Sequence, residues 1–339
     1  MKTVKGLHEK MGTFENANTS FHQAARCKRY TNEVLAFSMV KEEELLRATE
    51  EIQNLTYRQG EYKIFKVFEP KERLIMALPF YDRVVQHMIC NAIQPVFENG
   101  FYYHSYACRS GKGMHAASDT LYQWMYETEV KQGLRMYAFK GDISKYFASI
   151  PHDKLKDENR RYIGDKKALM LMDDIIDHNG ILPDGVGIPV GNLTSQLFAN
   201  VYGNKLDKFC KHVLHIPYFV RYMDDFIILS DDLEQLKEWV KRIEEFLENE
   251  MLLHINPKST ILYAGNGIDF CGYIHYADHK KVRKSSIRKL KQDVKAYELG
   301  ELPPEEFNRK YESRKGHLEH VDTVLNALRY RYYYGMADC

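Results

Sequence analysis

Cysteine is sparse and scattered in this chain of 339 residues. The six present (Cys27, Cys90, Cys108, Cys210, Cys271 and Cys339) form no CxxC pair and keep no regular spacing. Disulfide frameworks and zinc sites need paired thiols, so reduced cysteines in a cytoplasmic protein are the expectation. No apolar run approaches the roughly 18 residues of a membrane span. The opening stretch "MKTVKGLHEKMGTFENANTS" lacks the apolar centre of a signal peptide. No membrane association is therefore expected. Internal repeats and low-complexity segments are missing as well. So is any large net charge, which at +1 does not by itself announce a nucleic-acid binder.

What is present is a chain with 44% hydrophobic and 28% charged residues, enough for one large multi-lobed globule or two to three small domains. Its charge is uneven. From Arg221 to Glu250 ten acids face four basic residues, and from His279 to Gly300 eight Lys/Arg face two acids. A basic module follows an acidic one.

Hydrophobic periodicity supplies the elements. Residues 1–20 read as loose. A helix is expected from about Ala24 to Asn54, a strand at "YKIFKVFEP", and a helix over 81–98. "SYACRSGKGMHAASDTLYQWMYE" opens as a loop and becomes a helix. "MYAFKGDISKYFASI" is a strand running into a short turn, followed by a helical stretch and the loop "GILPDGVGIPVG". "NLTSQLFANVYGNKLDKFCKHV" is helical. "YFVRYMDDFIILS" reads as a hairpin with strands 217–222 and 226–230, turning at Asp224 and Asp225. An amphipathic helix follows, then short strands at "STILYAG" and "IDFCGYIHY", then a charged helical end from about Lys284. Strand, helix, paired strands, helix and strand make the split βαβ pattern of a ferredoxin-like sheet.

Two adjacent carboxylates at a hairpin tip each raise the cost of ionising the other. Holding a divalent cation is one use that offsets this cost, since Mg²⁺ takes oxygen ligands and shares them with substrate phosphates. Asp142, at the end of another apolar strand, is the best third acid. Asp142, Asp224 and Asp225 together would suit two metal ions roughly 4 Å apart, clamping the attacking and leaving oxygens of a phosphoryl transfer. The plainer alternative is a surface turn, because Asp favours turns. Apolar flanks on both sides bring the two readings level.

At this point the residues match a family. "YMDD" in a hairpin resembles the motif of reverse transcriptases, and the resemblance extends from about residue 25 to residue 275. "FKGDISKYFASI" is similar to the family's first catalytic strand, and "GIPVGNLTSQLFANVY" to its nucleotide-facing loop and helix. "NPKST" resembles its lysine motif and "FCGY" its primer-grip hairpin. "EPKERLIMALPFYDRVVQH" and "SYACRSGKGMHAA" resemble the fingers blocks. Most bacterial relatives carry QGxxxSP in the loop motif, whereas this chain has VGNLTSQ. That departure resembles the reverse transcriptases of diversity-generating retroelements. Those enzymes copy a template-repeat RNA with errors opposite adenine, alongside a small basic accessory protein that forms a pentameric barrel.

The resemblance implies an α+β right-hand polymerase with fingers, a ferredoxin-like palm and a helical thumb. Its parts would be a flexible N-terminus (1–24), N-terminal helices and fingers (25–135), a palm (136–278) with a fingers insertion at about 152–190, and the thumb (279–339). It implies an RNA-directed DNA polymerase, bacterial or phage-encoded, acting on template RNA, a cDNA primer and dNTPs. Two Mg²⁺ ions would be held by Asp142, Asp224, Asp225 and the Ile143 carbonyl, Asp225 less directly. Lys258 would stand near the leaving pyrophosphate as general acid; an exposed turn lysine is the equal alternative.

Phe147 occupies the steric-gate position, where a ring would collide with a ribose 2′-hydroxyl; from its spacing alone it reads as a core residue. Lys71 and Arg73 would clamp the triphosphate, Arg by its bidentate fork. Arg109, Gly111, Lys112 and Gly113 would serve the templating strand, and Phe270, Gly272 and Tyr273 the primer. Gly191 and Gln196 would line the nucleotide pocket with Val190. Valine cannot make the hydrogen bond by which a glutamine there would brace a correct pair. The basic stretch from Lys280 to Lys295 would grip backbone phosphates, with a solvated helix as the plainer alternative, and Tyr330, Tyr332, Tyr333 and Tyr334 would pack the thumb rather than stack on bases.

The rival readings are a retron-like, group II intron-like or phage-defence reverse transcriptase, and a non-catalytic RNA-binding scaffold. About 65 residues follow "FCGY". They leave room for a thumb but not for a maturase or nuclease domain.

Overall fold

A computed structural model describes residues 3–68 and 72–321. Lys71 and the four tail tyrosines lie outside the described residues. The chain begins with helices α1 (Leu7–Met11), α2 (Phe14–Ala24), α3 (Asn32–Met39) and α4 (Lys41–Gln53), then a hairpin of β1 (Lys63–Phe68) and β2 (Glu72–Ala77). Helices α5 (Phe80–Glu98) and α6 (Met114–Met125) lead to strand β3 (Tyr137–Asp142). Next come α7 (Tyr146–Ser149), α8 (His152–Tyr162), α9 (Lys166–Asp177) and α10 (Leu193–Lys208). The hairpin β4 (Tyr218–Tyr222) and β5 (Asp225–Ser230) precedes α11 (Leu233–Glu250) and β6 (Thr260–Tyr263). Short strands β7 (Ile268–Phe270), β8 (Tyr273–His275) and β9 (Lys280–Val282) run into α12 (Lys284–Glu298) and α13 (Pro304–Glu319).

These elements form two compact units. The first comprises Met1–Tyr103, Ile143–Val213 and Arg242–Asn256. The second comprises His104–Asp142, Leu214–Lys241 and Pro257–Cys339.

In the first unit α5 is the central post. Val84, Val85, Met88, Ile89, Ile93 and Phe97 recur at threes and fours and are fully buried. The N-terminal stretch, expected to be loose, carries α1 and α2 instead. Leu7, Met11, Ala17 and Phe21 are buried, and the Phe21 ring lies 5.6 Å from Phe37 and 6.0 Å from Phe80. The Asp165 carboxylate accepts from the backbone N–H groups of Leu7 (2.8 Å) and His8 (3.0 Å) while capping α9 through Lys167 and Ala168. Burial pushes the Asp165 carboxyl up, but these backbone donors outweigh it and hold its pKa below the ordinary value. The single helix expected over 24–54 is divided, because Cys27 adopts a left-handed φ of 62° and Val40 breaks the helical geometry between α3 and α4.

In the second unit the main sheet has the order β4-β5-β3-β6 with antiparallel neighbours throughout. Counting only its own strands in chain order, this is 2-3-1-4, the ferredoxin-like arrangement that the alternating elements predict. One face buries Ala138, Ile227 and Leu229 against Leu121 and Met125 of α6 and Phe270 of β7. On the other face Phe139 and Phe219 flank Phe226, with ring centroids 5.8 and 6.0 Å away. Any β-carbon on Gly141 would collide with the Phe226 ring, so a glycine must precede Asp142. Strands β7, β8 and β9 form a small separate sheet in the same unit. Among the described residues no helix is long and apolar enough to cross a membrane.

Candidate active site

The three acids are placed by the ladder. Asp142 ends β3 and stands directly opposite Asp225, the first residue of β5, while Asp224 occupies the turn between β4 and β5. Directly opposed residues of an antiparallel pair project to the same face, so Asp142 and Asp225 share one side of the sheet. The hairpin closes on Tyr222 and Asp225 with a two-residue turn, Met223 and Asp224. Met223 has φ 60°, the left-handed conformation that such turns require.

Burial raises the Asp225 carboxyl to about 6; Lys140 pulls it down, Asp224 and Asp142 push it up, and Arg283 pulls it down again. Lys140 lies two residues before Asp142 and opposite Ile227, on the same face as the acids. Among the described residues no three acidic, histidine or cysteine side chains gather closely enough to enclose an ion unaided. The donor set is oxygen-only and anionic. That suits a hard cation that completes its shell with water and substrate phosphate, as Mg²⁺ ordinarily does.

Two residues that the motifs do not single out hold these acids. The Asp142 backbone N–H donates to Ser259 Oγ at 3.0 Å. Ser259 directly follows Lys258, so the loop carrying that exposed lysine is fastened to the end of β3. Arg221 is fully buried on β4. Its guanidinium donates to the Met223 carbonyl at 2.8 Å and to Ser105 Oγ at 3.0 Å. A buried arginine inside an apolar strand was the available signal, because such a charge survives only with satisfied donors.

The Arg221 contact reaches the glycine loop. Its backbone N–H donates to the His104 carbonyl and its carbonyl accepts from Tyr106. Arg109 donates to the Ser105 carbonyl at 2.7 Å, and Gly113 N–H donates to the Tyr106 carbonyl at 3.0 Å. Gly111 and Gly113 have φ of 69° and 121° with open space around them, and Lys112 Nζ lies 5.0 Å from the Tyr106 ring centroid. Asp142, Asp224, Asp225, Lys258 and Arg109–Gly113 thus all belong to the second unit. So does the β7–β8 turn, where Phe270 and Tyr273 are fully buried. Any ligand there would meet the backbone of Cys271 and Gly272 rather than those two rings.

The remaining sequence-chosen residues gather in the first unit. The Val190 carbonyl accepts from Met76 N–H at 3.2 Å, strapping the loop before α10 to β2. Gly191 has φ 121°, and a β-carbon there would press on the Met76 carbonyl at 3.2 Å and on Ile75 at 3.3 Å. Arg73 is exposed on the same strand, and its neighbour across the hairpin is Val67. The Phe147 carbonyl accepts from Ile188 at 2.8 Å, two residues before Val190. Backbone bonds therefore link the segments bearing Arg73, Phe147, Val190 and Gly191. Gln196 follows in the first turn of α10 and is half-buried. Ile143 begins the unit's second segment, paired with Ile255.

Comparison with known proteins decides the family: residues 66–275 match the reverse transcriptases (RNA-dependent DNA polymerases). The chain belongs to the reverse transcriptase family. Protein YkfC of Escherichia coli K12 is 25% identical over 251 positions, covering 60% of this reverse transcriptase-family chain and 62% of YkfC. An uncharacterized 91 kDa protein in the cob intron of Schizosaccharomyces pombe is 29% identical over 137 positions, covering 39% and 16% of the two chains. The chain spans less than two thirds of the length of either relative. Among solved structures, telomerase from Candida albicans in complex with a fragment of telomeric RNA superposes with a TM-score of 0.50 at 12% identity. That match covers 89% of this chain and 59% of the telomerase chain. The fold is the right-hand polymerase fold that the motifs imply.

Proposed function

We propose that this chain is an RNA-directed DNA polymerase that extends a primer on an RNA template, and that Asp142, Asp224 and Asp225 are its catalytic acids. The observation that carries this reading is the in-register pairing of Asp142 with Asp225 beside the Asp224 turn, in a chain of this family. Mg²⁺ bound at these acids would activate the primer 3′-hydroxyl and neutralise charge on the triphosphate. The protein's own part is to hold the carboxylates. Ser259 fixes the Asp142 backbone and Arg221 fixes the Met223 carbonyl. Lys258, exposed beside Ser259, donates a proton to the departing pyrophosphate. Arg73 grips the phosphates, assisted by Lys71, and Phe147 rejects a ribose 2′-hydroxyl. The loop 109–113 bears on the template and the 271–272 turn on the primer. Primer extension on a homopolymer RNA with Mg²⁺ tests the assignment. Wild type is expected to make DNA and Asp224→Ala none, whereas a wild type without metal-dependent synthesis overturns it.

The finer reading is a diversity-generating retroelement enzyme, cytoplasmic and bacterial or phage-encoded, that copies a template-repeat RNA with errors at adenine beside a pentameric basic accessory protein. VGNLTSQ supports it. Val190 puts an apolar side chain where a polar contact would favour correct pairing, and Gln196 replaces the proline that would otherwise open the helix. Val190→Gln is expected to lower misincorporation opposite adenine in sequenced cDNA. An unchanged adenine error rate defeats this reading and leaves the polymerase assignment intact.

A further inference from the structure

Histidine is concentrated where α13 meets α6 and the small sheet. The His115 ring of α6 lies flat on His320, just after α13, with centroids 4.0 Å apart and planes 11° from parallel. The His317 ring stacks on Tyr273 at 4.3 Å, and the Tyr273 hydroxyl donates to the His317 carbonyl at 3.0 Å. His317 also fills the space over Gly272, where a β-carbon would stand 2.6 Å from its Cε1. The polymerase reading assigns none of these histidines a role.

We propose that α13 is held by a proton-sensitive latch: the His115–His320 and His317–Tyr273 ring stacks seat the helix on α6 and on the Cys271–Gly272 turn, and protonating His115 releases it. Two imidazoles face to face at van der Waals distance cannot both carry charge cheaply. Asp119 of α6 is hydrogen-bonded to His320 at 3.0 Å and to Lys280 of β9 at 2.6 Å, so one acid already serves a fixed cation. Arg283, before α12, adds positive charge near His317. Burial, then His320, hold His115 below the ordinary imidazole value, with Asp119 pulling up and Lys280 pulling down. Burial lowers His317 too, against a backbone hydrogen bond at Gly272. His275 of β8 is no part of the switch. Its ring is fixed between Ser118 Oγ (2.8 Å) and the Ile268 carbonyl (3.1 Å), and burial holds it down to about 4.

The sign follows directly. Groups whose folded pKa lies below the unfolded value stabilise the closed state above about pH 6.5, and that contribution is lost as pH falls through their folded values. The latch is closed at neutral pH and weakens in mild acid. Its link to primer placement rests on the polymerase reading; the latch itself does not.

Amide hydrogen exchange on the full chain tests it, with α5 as internal reference for the chemical effect of pH. Between about pH 7.5 and 5.5, protection of α13 relative to α5 is expected to drop about tenfold in wild type. In His115→Phe/His320→Phe, whose rings stack but cannot charge, the ratio is expected to hold. A constant ratio in wild type, or equal loss in both proteins, overturns the proposal. Should the double variant not fold, imidazole carbon NMR of wild type decides. Midpoints for His115 and His317 below the ordinary ~6.5, coincident with the exchange change, support the latch; unshifted midpoints overturn it.

Discussion

Asp225 sits at an electrostatic cost in the metal-free protein. Its folded carboxyl, pushed up to about 6, binds a proton more tightly than in the unfolded chain. That contribution stabilises at low pH and is lost as pH rises through about 6. Metal-free wild type is therefore expected to lose thermal stability between pH 5 and about 7.5 relative to Asp225→Asn, and Mg²⁺ is expected to raise wild type more than the variant. Parallel melting curves across that range would contradict the account. Arg221 is the second residue on which the site depends. Arg221→Met keeps the bulk but loses the donors to Met223 and Ser105. It is expected to cost about 2–4 kcal/mol in denaturant unfolding and to lower synthesis by more than the loss of folded protein explains. Arg221→Lys, which cannot form the same fork, should rescue only in part.

At the scale of elements, the loop before α10 acts as a strap. Gly191 is confined both by its positive φ and by the Met76 carbonyl, so Gly191→Ala is expected to lift the Val190 segment off β2. The expected readout is a raised Michaelis constant for dNTP with little change in melting temperature; an unchanged constant would show that the strap does not shape the pocket. Asp165→Ala should cost about 1–2 kcal/mol, because one carboxylate serves the first turns of both α1 and α9. The periodic segments were legible in the sequence, since α5, β3, the β4–β5 hairpin and α11 each carry unbroken apolar patterns of one period. The order of α1 and α2 was not. Their apolar residues are diluted among polar ones, and their partners, Phe80 and Asp165, are remote in sequence. Ser259 was hidden for a related reason, as a hydrogen bond from a remote backbone N–H leaves no pattern in the letters, whereas Arg221 was signalled by its charge inside an apolar strand.

For the molecule as a whole, the strand order was readable, and so was the placing of Asp142 at the end of a strand of the hairpin's sheet, because both follow from local pattern. The division into two units was not, because the chain crosses between them five times, at 103/104, 142/143, 213/214, 241/242 and 256/257. One crossing falls between Asp142 and Ile143. The carboxylates and Lys258 lie in the second unit, and the segments bearing Arg73, Phe147 and Val190 in the first. On the proposed polymerase reading, substitutions of the acids are expected to impair catalysis and substitutions of Phe147 or Val190 to impair nucleotide selection. Single-nucleotide incorporation on a primed RNA template measures both in one assay. With Mg²⁺, wild type is expected to add a matched dNTP at least about a hundredfold faster than the rNTP, and Asp142→Asn and Asp224→Asn to fold yet fall by about a hundredfold or more. Wild type that adds no nucleotide, or folded variants that add it at the wild-type rate, would contradict the central claim.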